Sequence, residues 1–201
     1  QVSSNVGMVR IMQNLEPRVY WDWLNKLGID KKIETDLYES TPGQLKSKDI
    51  FINQPIEQAV TSFGKGFSIS PLKLVQLHAL LANGGYEVTP HVTSIYKKEN
   101  NNILKNRIFS KDVSQTILTW METVVNEGSG VGAKIEGYRI GGKTGTSQKA
   151  INGSYTQFKT CSFVATLPID KPKFLVFVLI DEPSRPYSYG STVAVPVAKE
   201  I

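Results

Sequence analysis

The chain has 201 residues, enough for one domain with a sizeable core. Hydrophobic residues make up 40% and charged residues 20%, which excludes a disordered, collagenous or coiled-coil class. A single cysteine, Cys161, excludes an intrachain disulfide, and a net charge of +5 suits a carboxylate-bearing ligand or an anionic surface, although solvated lysines account for it equally well.

In chain order, Val6, Val9, Ile11, Met12 and Leu15 fall at helical spacing, with Ser4 or Asn5 as the cap. "PRVYWDWLNKLG" predicts a second helix closed by Gly28. From Ile29 to Ser68 periodicity is weak, and the segment reads as loop-rich, with "STPGQ" as a turn. "SPLKLVQLHALLANGG" is the clearest helix, capped by Ser70, with Pro71 in its first turn and Asn83-Gly84-Gly85 as its stop. "EVTPHVTSIYKKENNNILKNRIF" predicts a strand pair around the tip Glu99 to Asn102. "SKDVSQTILTWMETVVNEG" predicts a helix capped by Ser110 or Asp112 and ended by Gly128.

The last third is strand-like: "YRIGGKTGT", "KTCSFVATL" and "KFLVFVLID" are rich in Val, Ile, Phe and Thr. Only "PIDKPK" separates the last two, too short for a helical crossover, so they should form an antiparallel hairpin. A short helix from near Ser191 would end the chain. Helices grouped early and an antiparallel sheet late predict an α+β fold in one domain. Cys161 lies in an apolar run and reads as a buried thiol. His78 and His91 show no metal-ligand spacing and read as structural. The longest apolar run, Phe174 to Ile180, is too short to cross a bilayer. A start at Gln1 without methionine makes the chain read as part of something longer, so a missing targeting segment says little about the parent.

"GYRIGGKTGT", Gly137 to Thr146, matches two chemistries. As G-x-x-x-x-G-K-T it resembles a phosphate-cradling loop, and "FLVFVLIDE" would pass for the accompanying magnesium-holding strand. Such a loop needs a helix directly after its Lys-Thr, whose free amides and dipole hold the phosphates. Here "GTSQKAINGSYTQF" follows, broken by Gly and Asn and without apolar periodicity. A nucleotide hydrolase is therefore only a distant alternative.

Read from Lys143, the stretch is K-T-G-T, one of three short elements of serine acyl transfer, beside S-x-x-K and S-x-N. Lys143 supplies positive charge, Thr144 and Thr146 offer hydroxyls, and Gly145 leaves room for a ligand against an edge strand. The backbone N–H of Thr146 suits an oxyanion donor. Ser3-Ser4-Asn5 fits S-x-N, although a helix cap is its simpler reading. Three S-x-x-K pairs occur: Ser62–Lys65, Ser70–Lys73 and Ser94–Lys97. With 17 serines and 18 lysines in 201 residues, chance alone supplies about 1.5. "SFGK" has Gly64 where a helix is needed, "SIYK" sits in a strand-like run, and Ser70 is better explained as a cap. All three follow S-x-N, whereas the nucleophile should precede it, so it is expected upstream of Gln1.

"SSNVG", "TSFGKGFSISPLKLVQLHALLANGG", "GVGAKIEGYRIGGKTGTSQK", "FVATLPIDKPKFLVFVLIDEP" and "YSYGSTVAVPV" together resemble the C-terminal part of the transpeptidase domain of class B penicillin-binding proteins, the septal peptidoglycan D,D-transpeptidases most of all. The resemblance runs along nearly the whole chain, residues 1–201, and implies a β-lactamase/transpeptidase-like sheet with packed helices. It implies attack of a serine on the D-Ala-D-Ala bond of a peptidoglycan stem peptide, transfer of the acyl group to a neighbouring stem, and acylation by β-lactams. Carried over by position, Ser3 joins the proton relay and Asn5 holds the substrate amide. Lys143 supports the relay and the field around the substrate carboxylate, and Thr144 and Thr146 bind that carboxylate across Gly145. No metal, organic cofactor or nucleic-acid partner is expected. The family's extracytoplasmic location, membrane anchor and cell-division partners would belong to the parent. Without the S-x-x-K part the chain is expected to be inactive alone, and its exposed apolar surface to favour self-association. A non-catalytic penicillin sensor and a serine β-lactamase are the alternatives. Phe63 to Gly66 reads equally as cleft lining or as a glycine-rich turn.

Overall fold

The structure is a computed structural model and describes residues 2–37, 40–93, 106–151, 153–185 and 187–201. These residues divide into two compact units. A helical unit draws on residues 3–77 and 87–108, and a sheet unit on residues 1–2, 78–86 and 109–201.

In the helical unit, α1 (Asn5–Met12) is capped by Ser4, whose side chain accepts from the Gly7 N–H at 3.1 Å. Pro17, fitted to the first turn, opens α2 (Pro17–Leu27), which stops where Gly28 turns left-handed at φ 65°. The segment read as loop-rich contains two short helices, α3 (Lys48–Asn53) and α4 (Pro55–Ser62). Each is too short to show apolar periodicity, and tertiary contacts hold them. The buried Gln58 amide on α4 donates to Phe51 O at 2.9 Å and Ile52 O at 3.1 Å, satisfying the end of α3. Phe51 is fully buried and meets Tyr20 of α2 edge-on, ring centres 5.3 Å apart. The "STPGQ" turn is tied down by a bridge between Gln44 and Ser68, and Phe63 to Gly66 is a turn with Gly64 and Gly66 at positive φ. Ser70 caps α5 (Pro71–Ala82), accepting from the Lys73 N–H at 3.2 Å. The tip and most of the expected strand pair over residues 87–109 lie outside the described residues; Glu87 N–H donates to Asn106 O at 3.1 Å.

In the sheet unit, Ser110 caps α6 (Lys111–Glu127), and the Ser114 hydroxyl donates to Leu81 O at the end of α5. Strands β1 (Gly141–Ile151), β2 (Ser154–Leu167) and β3 (Phe174–Asp181) form an antiparallel sheet in that order. The β2–β3 hairpin pairs Leu167 with Phe174 through Thr160 with Asp181, as the short connection requires. Strand β1 starts at Gly141, three residues later than expected, because Arg139 is committed elsewhere. Its carbonyl accepts from Ile169 N–H at 3.1 Å and its guanidinium pairs with Glu122 at 2.8 and 2.7 Å. Burial covers both faces of β2. Phe163 and Ala165 join Val125, Ala133, Val178, Ala194 and Val195 on one side, while Val164 joins Leu118, Met121 and Ile169 on the other. A strand covered on both faces reads as a continuous apolar run, which is the pattern of "CSFVATL". Cys161 is fully buried, and burial pushes its thiol pKa up. The chain ends in a π-helical turn, Gly190–Ala194, leading into α7 (Val195–Glu200).

Phe163 has no exposed surface. Phe163→Ala should cost about 3–5 kcal/mol in urea unfolding, whereas Phe174→Ala, at a residue 65% exposed, should stay within about 0.5 kcal/mol of the parent sequence.

Candidate active site

Strand β1 lies at one edge of the sheet, and its register places Lys143 opposite Val164, Thr144 opposite Phe163, Gly145 opposite Ser162 and Thr146 opposite Cys161. Strand alternation then puts Lys143 and Gly145 on one face and the two threonines on the other. A ligand along the strand edge is the one kind of occupant that can address both sets.

Both threonine hydroxyls are held from behind. Thr144 Oγ1 lies 2.8 Å from Ser129 Oγ, just past the end of α6. Thr146 Oγ1 accepts from the Gly190 N–H at 3.0 Å. Because Thr146 accepts there, its own proton remains available to donate. Gly190 sits almost on the strand: a Cβ at this position would lie 2.4 Å from Ser162 O and 2.6 Å from Gly145 O. Gly145 is constrained as well, since a Cβ there would approach Ser162 Oγ to 2.5 Å. The glycines at both positions are therefore required by the chain's own packing, with Ser162 Oγ close to Gly145 and the Gly190 turn against its backbone. The segment before Gly190 is pinned by Lys159, whose ammonium donates to Ser188 O at 3.3 Å and sits 4.5 Å from the centre of the Tyr189 ring.

Lys143 Nζ donates to Thr144 O at 2.7 Å. The residue as a whole is exposed, yet partial burial of its ammonium lowers its pKa from the usual lysine value. His78, on the last turns of α5, is held neutral, its pKa pushed down to about 4 by burial and then by the charge of Lys143. Its Nδ1 is buried with no partner among the described residues. His78, read as structural, thus also belongs to the electrostatic surroundings of Lys143.

Ser3 and Asn5 belong to the helical unit, Lys143 to Thr146 to the sheet unit. Ser4, rather than Asn5, caps α1, so the Asn5 amide at the first helical position has no hydrogen-bond partner among the described residues. Neither described Ser-x-x-Lys pair brings hydroxyl and amine together. Ser62 ends α4 and donates to Ala59 O at 2.7 Å, with Gly64 breaking the turn before Lys65. Ser70 caps α5, while Lys73 Nζ donates to Gln76 Oε1 at 2.8 Å. Ser94–Lys97 lies outside the described residues. The phosphate-loop reading fails on structure: Thr144 is followed by strand to Ile151, and Asp181 and Glu182 are paired with Lys149 at 2.8 and 2.7 Å. Among the described residues, no three His, Cys, Asp or Glu side chains are grouped to hold a metal.

Ser129 and Gly190 were not legible as site residues. Ser129 reads as part of a helix stop, 15 positions from its partner Thr144, and Gly190 is 44 positions from Thr146.

Residues 1–201 match the family model for the penicillin binding protein transpeptidase domain. The chain is 42% identical to the peptidoglycan D,D-transpeptidase FtsI homolog of Mesostigma viride, over 99% of this chain and 37% of that protein. It is 34% identical to stage V sporulation protein D of Bacillus subtilis (strain 168), over 100% of this chain and 32% of that one. It thus spans about a third of the length of these curated relatives. Among solved structures, the TP domain of penicillin-binding protein 3 from Burkholderia pseudomallei, in apo form, matches with a TM-score of 0.85 and 27% identity, covering 98% of this chain and 59% of that domain.

Gly190→Ala should push the π-helical turn off β1, because the added Cβ would fall 2.4 Å from Ser162 O. Expected are a loss of stability of about 2 kcal/mol or more in urea unfolding and faster exchange of the backbone amide at the substituted position, whose N–H no longer reaches Thr146.

Proposed function

Because the chain belongs to the penicillin-binding protein transpeptidase-domain family, we propose that it is the C-terminal portion of the domain of a peptidoglycan D,D-transpeptidase and supplies two of its three catalytic elements. The observation that carries this reading is the edge position of β1, where a partly desolvated ammonium, a glycine and a hydroxyl with a proton to give occur along one short stretch.

In this reading a serine from outside the described Ser-x-x-Lys pairs attacks the carbonyl of the D-Ala-D-Ala bond. The acyl–enzyme bond forms as the C–N bond breaks and D-Ala leaves with the proton. An amine of a second stem peptide then attacks the ester and releases the serine. The substrate backbone pairs along β1 past Gly145. Thr146 directs its free proton at the terminal carboxylate, and its N–H stabilises the oxyanion. Thr144, braced by Ser129, presents a second hydroxyl. Lys143 adds positive charge close to both. Lowering its pKa also makes it a better partner for the proton relay that Ser3 joins, while the uncommitted Asn5 amide holds the substrate amide. β-Lactams take the same path and stop at the acyl-enzyme. The natural setting is the outer face of the cytoplasmic membrane, with cell-division proteins as partners of the whole protein; among the described residues no helix is long and apolar enough to cross a membrane. The exposed apolar side chains of α1, Val6 at 67% and Ile11 at 62%, favour self-association of the chain by itself.

In the full-length protein, Lys143→Ala should lower the rate of acylation by fluorescent penicillin about 100-fold or more. The 201-residue chain alone should remain unlabelled. Undiminished acylation of the Lys143 variant, or labelling of the isolated chain at Ser70, would overturn the assignment; rapid turnover of the acyl-enzyme by water would mark a β-lactamase instead.

A further inference from the structure

The helical unit contains a cavity of about 270 Å³ lined by four lysines, Lys26, Lys31, Lys32 and Lys73, together with Glu34 and Glu87. At about nine water volumes, it falls below the usual range for organic ligands. It has room for a small polar head group with a few waters.

Lys73 distinguishes this cavity from a patch of surface lysines. Only 7% of the residue is exposed, so most of its side chain is packed away from bulk water. An ammonium carries three donors. Among the described residues Lys73 Nζ uses one, to Gln76 Oε1 at 2.8 Å. The orientation of that amide is settled by its other end, because Gln76 Nε2 donates to Val88 O at 2.6 Å. The other two donors of Lys73 Nζ face the polar cavity, where an incoming acceptor can reach them.

The charges already present do not offset the burial. Desolvation lowers the Lys73 pKa, Glu87 and Asp30 act the other way, and Lys31 reinforces the lowering. Lys26 is partly committed, donating to Ile108 O at 3.5 Å and lying 4.5 Å from the centre of the Trp23 ring. Lys31 and Lys32 are exposed and make no side-chain hydrogen bond or ion pair among the described residues. Four ammonium groups against Glu34, Glu87 and the nearby Asp30 still leave positive charge in excess.

We infer that this cavity is a binding site for a small divalent oxyanion of the phosphate class, with Lys73 at its floor and Lys31 and Lys32 at its mouth. A phosphate oxygen would accept the two unused Lys73 protons, and the second negative charge would match the exposed lysines, which bind phosphate as point charges. The phosphate could arrive free or as the head group of a lipid. This inference is independent of the transpeptidase reading, since none of these groups is assigned to acyl transfer.

Calorimetric titration of the chain with inorganic phosphate and pyrophosphate at low salt tests it, with vesicles containing phosphatidic acid, whose head group is a phosphomonoester, as the lipid arm. Saturable binding of one pyrophosphate per chain is expected, weakened about tenfold or more by Lys31→Ala/Lys32→Ala and abolished by Lys73→Met. Vesicle binding without binding of free phosphate, lost in the same variants, would identify a lipid head group as the source. No saturable binding in any arm, or binding that Lys31→Ala/Lys32→Ala leaves unchanged, would overturn the site. The exposed pair decides the question even if Lys73→Met does not fold. Penicillin acylation is a separate measurement and is expected to be unaffected by the Lys31/Lys32 variant.

Discussion

Burial of β2 on both faces is the constraint on which the sheet unit depends. Phe163 and Ala165 can face one set of side chains, and Val164 the other, in only one register. A slip of one residue would exchange the two sets. That register carries β1 with it, so Lys143 must stand opposite Val164 and Thr146 opposite Cys161. The placement of the site residues is thus a consequence of core packing on the strand beside them, away from any ligand.

Once the register is set, the chemistry divides by face. Thr144 and Thr146 point toward the side where Ser129 and Gly190 meet them. Hydroxyls held by a fixed partner lose little further entropy when they engage a ligand, which is the physical content of preorganisation. Lys143 stands on the other face, its ammonium turned back to Thr144 O and partly desolvated. His78 is kept neutral there by burial and by the lysine's charge. A neutral imidazole beside the ammonium avoids a second positive charge in the same low-dielectric region.

Much of the local structure was legible because each signal acts over a few residues. Ser4, Ser70 and Ser110 cap the helices they precede, Gly28 ends α2, and a six-residue connection makes β2 and β3 antiparallel. The misses have a common cause. Helices α3 and α4 are stabilised by Gln58 reaching back to Phe51 and Ile52 and by the Phe51–Tyr20 contact, which no periodicity records. The start of β1 was displaced by Arg139, whose partners Glu122 and Ile169 lie in other segments.

By itself the sequence determined the class and family of the molecule and singled out Ser3-Ser4-Asn5 and Lys143 to Thr146 as candidate acyl-transfer elements. Helix caps, turn glycines and motif spacing are short-range properties that survive without a fold, and a long resemblance such as "GVGAKIEGYRIGGKTGTSQK" is specific because so many positions agree at once. Only the tertiary structure decided which face each element presents and what stands behind it. Ser129 behind Thr144, Gly190 against Gly145 and His78 beside Lys143 are pairings across long stretches of chain, and the near-complete burial of Lys73 is a product of packing. Such features depend on core packing and on the desolvation that comes with it, and neither exists until the chain has folded.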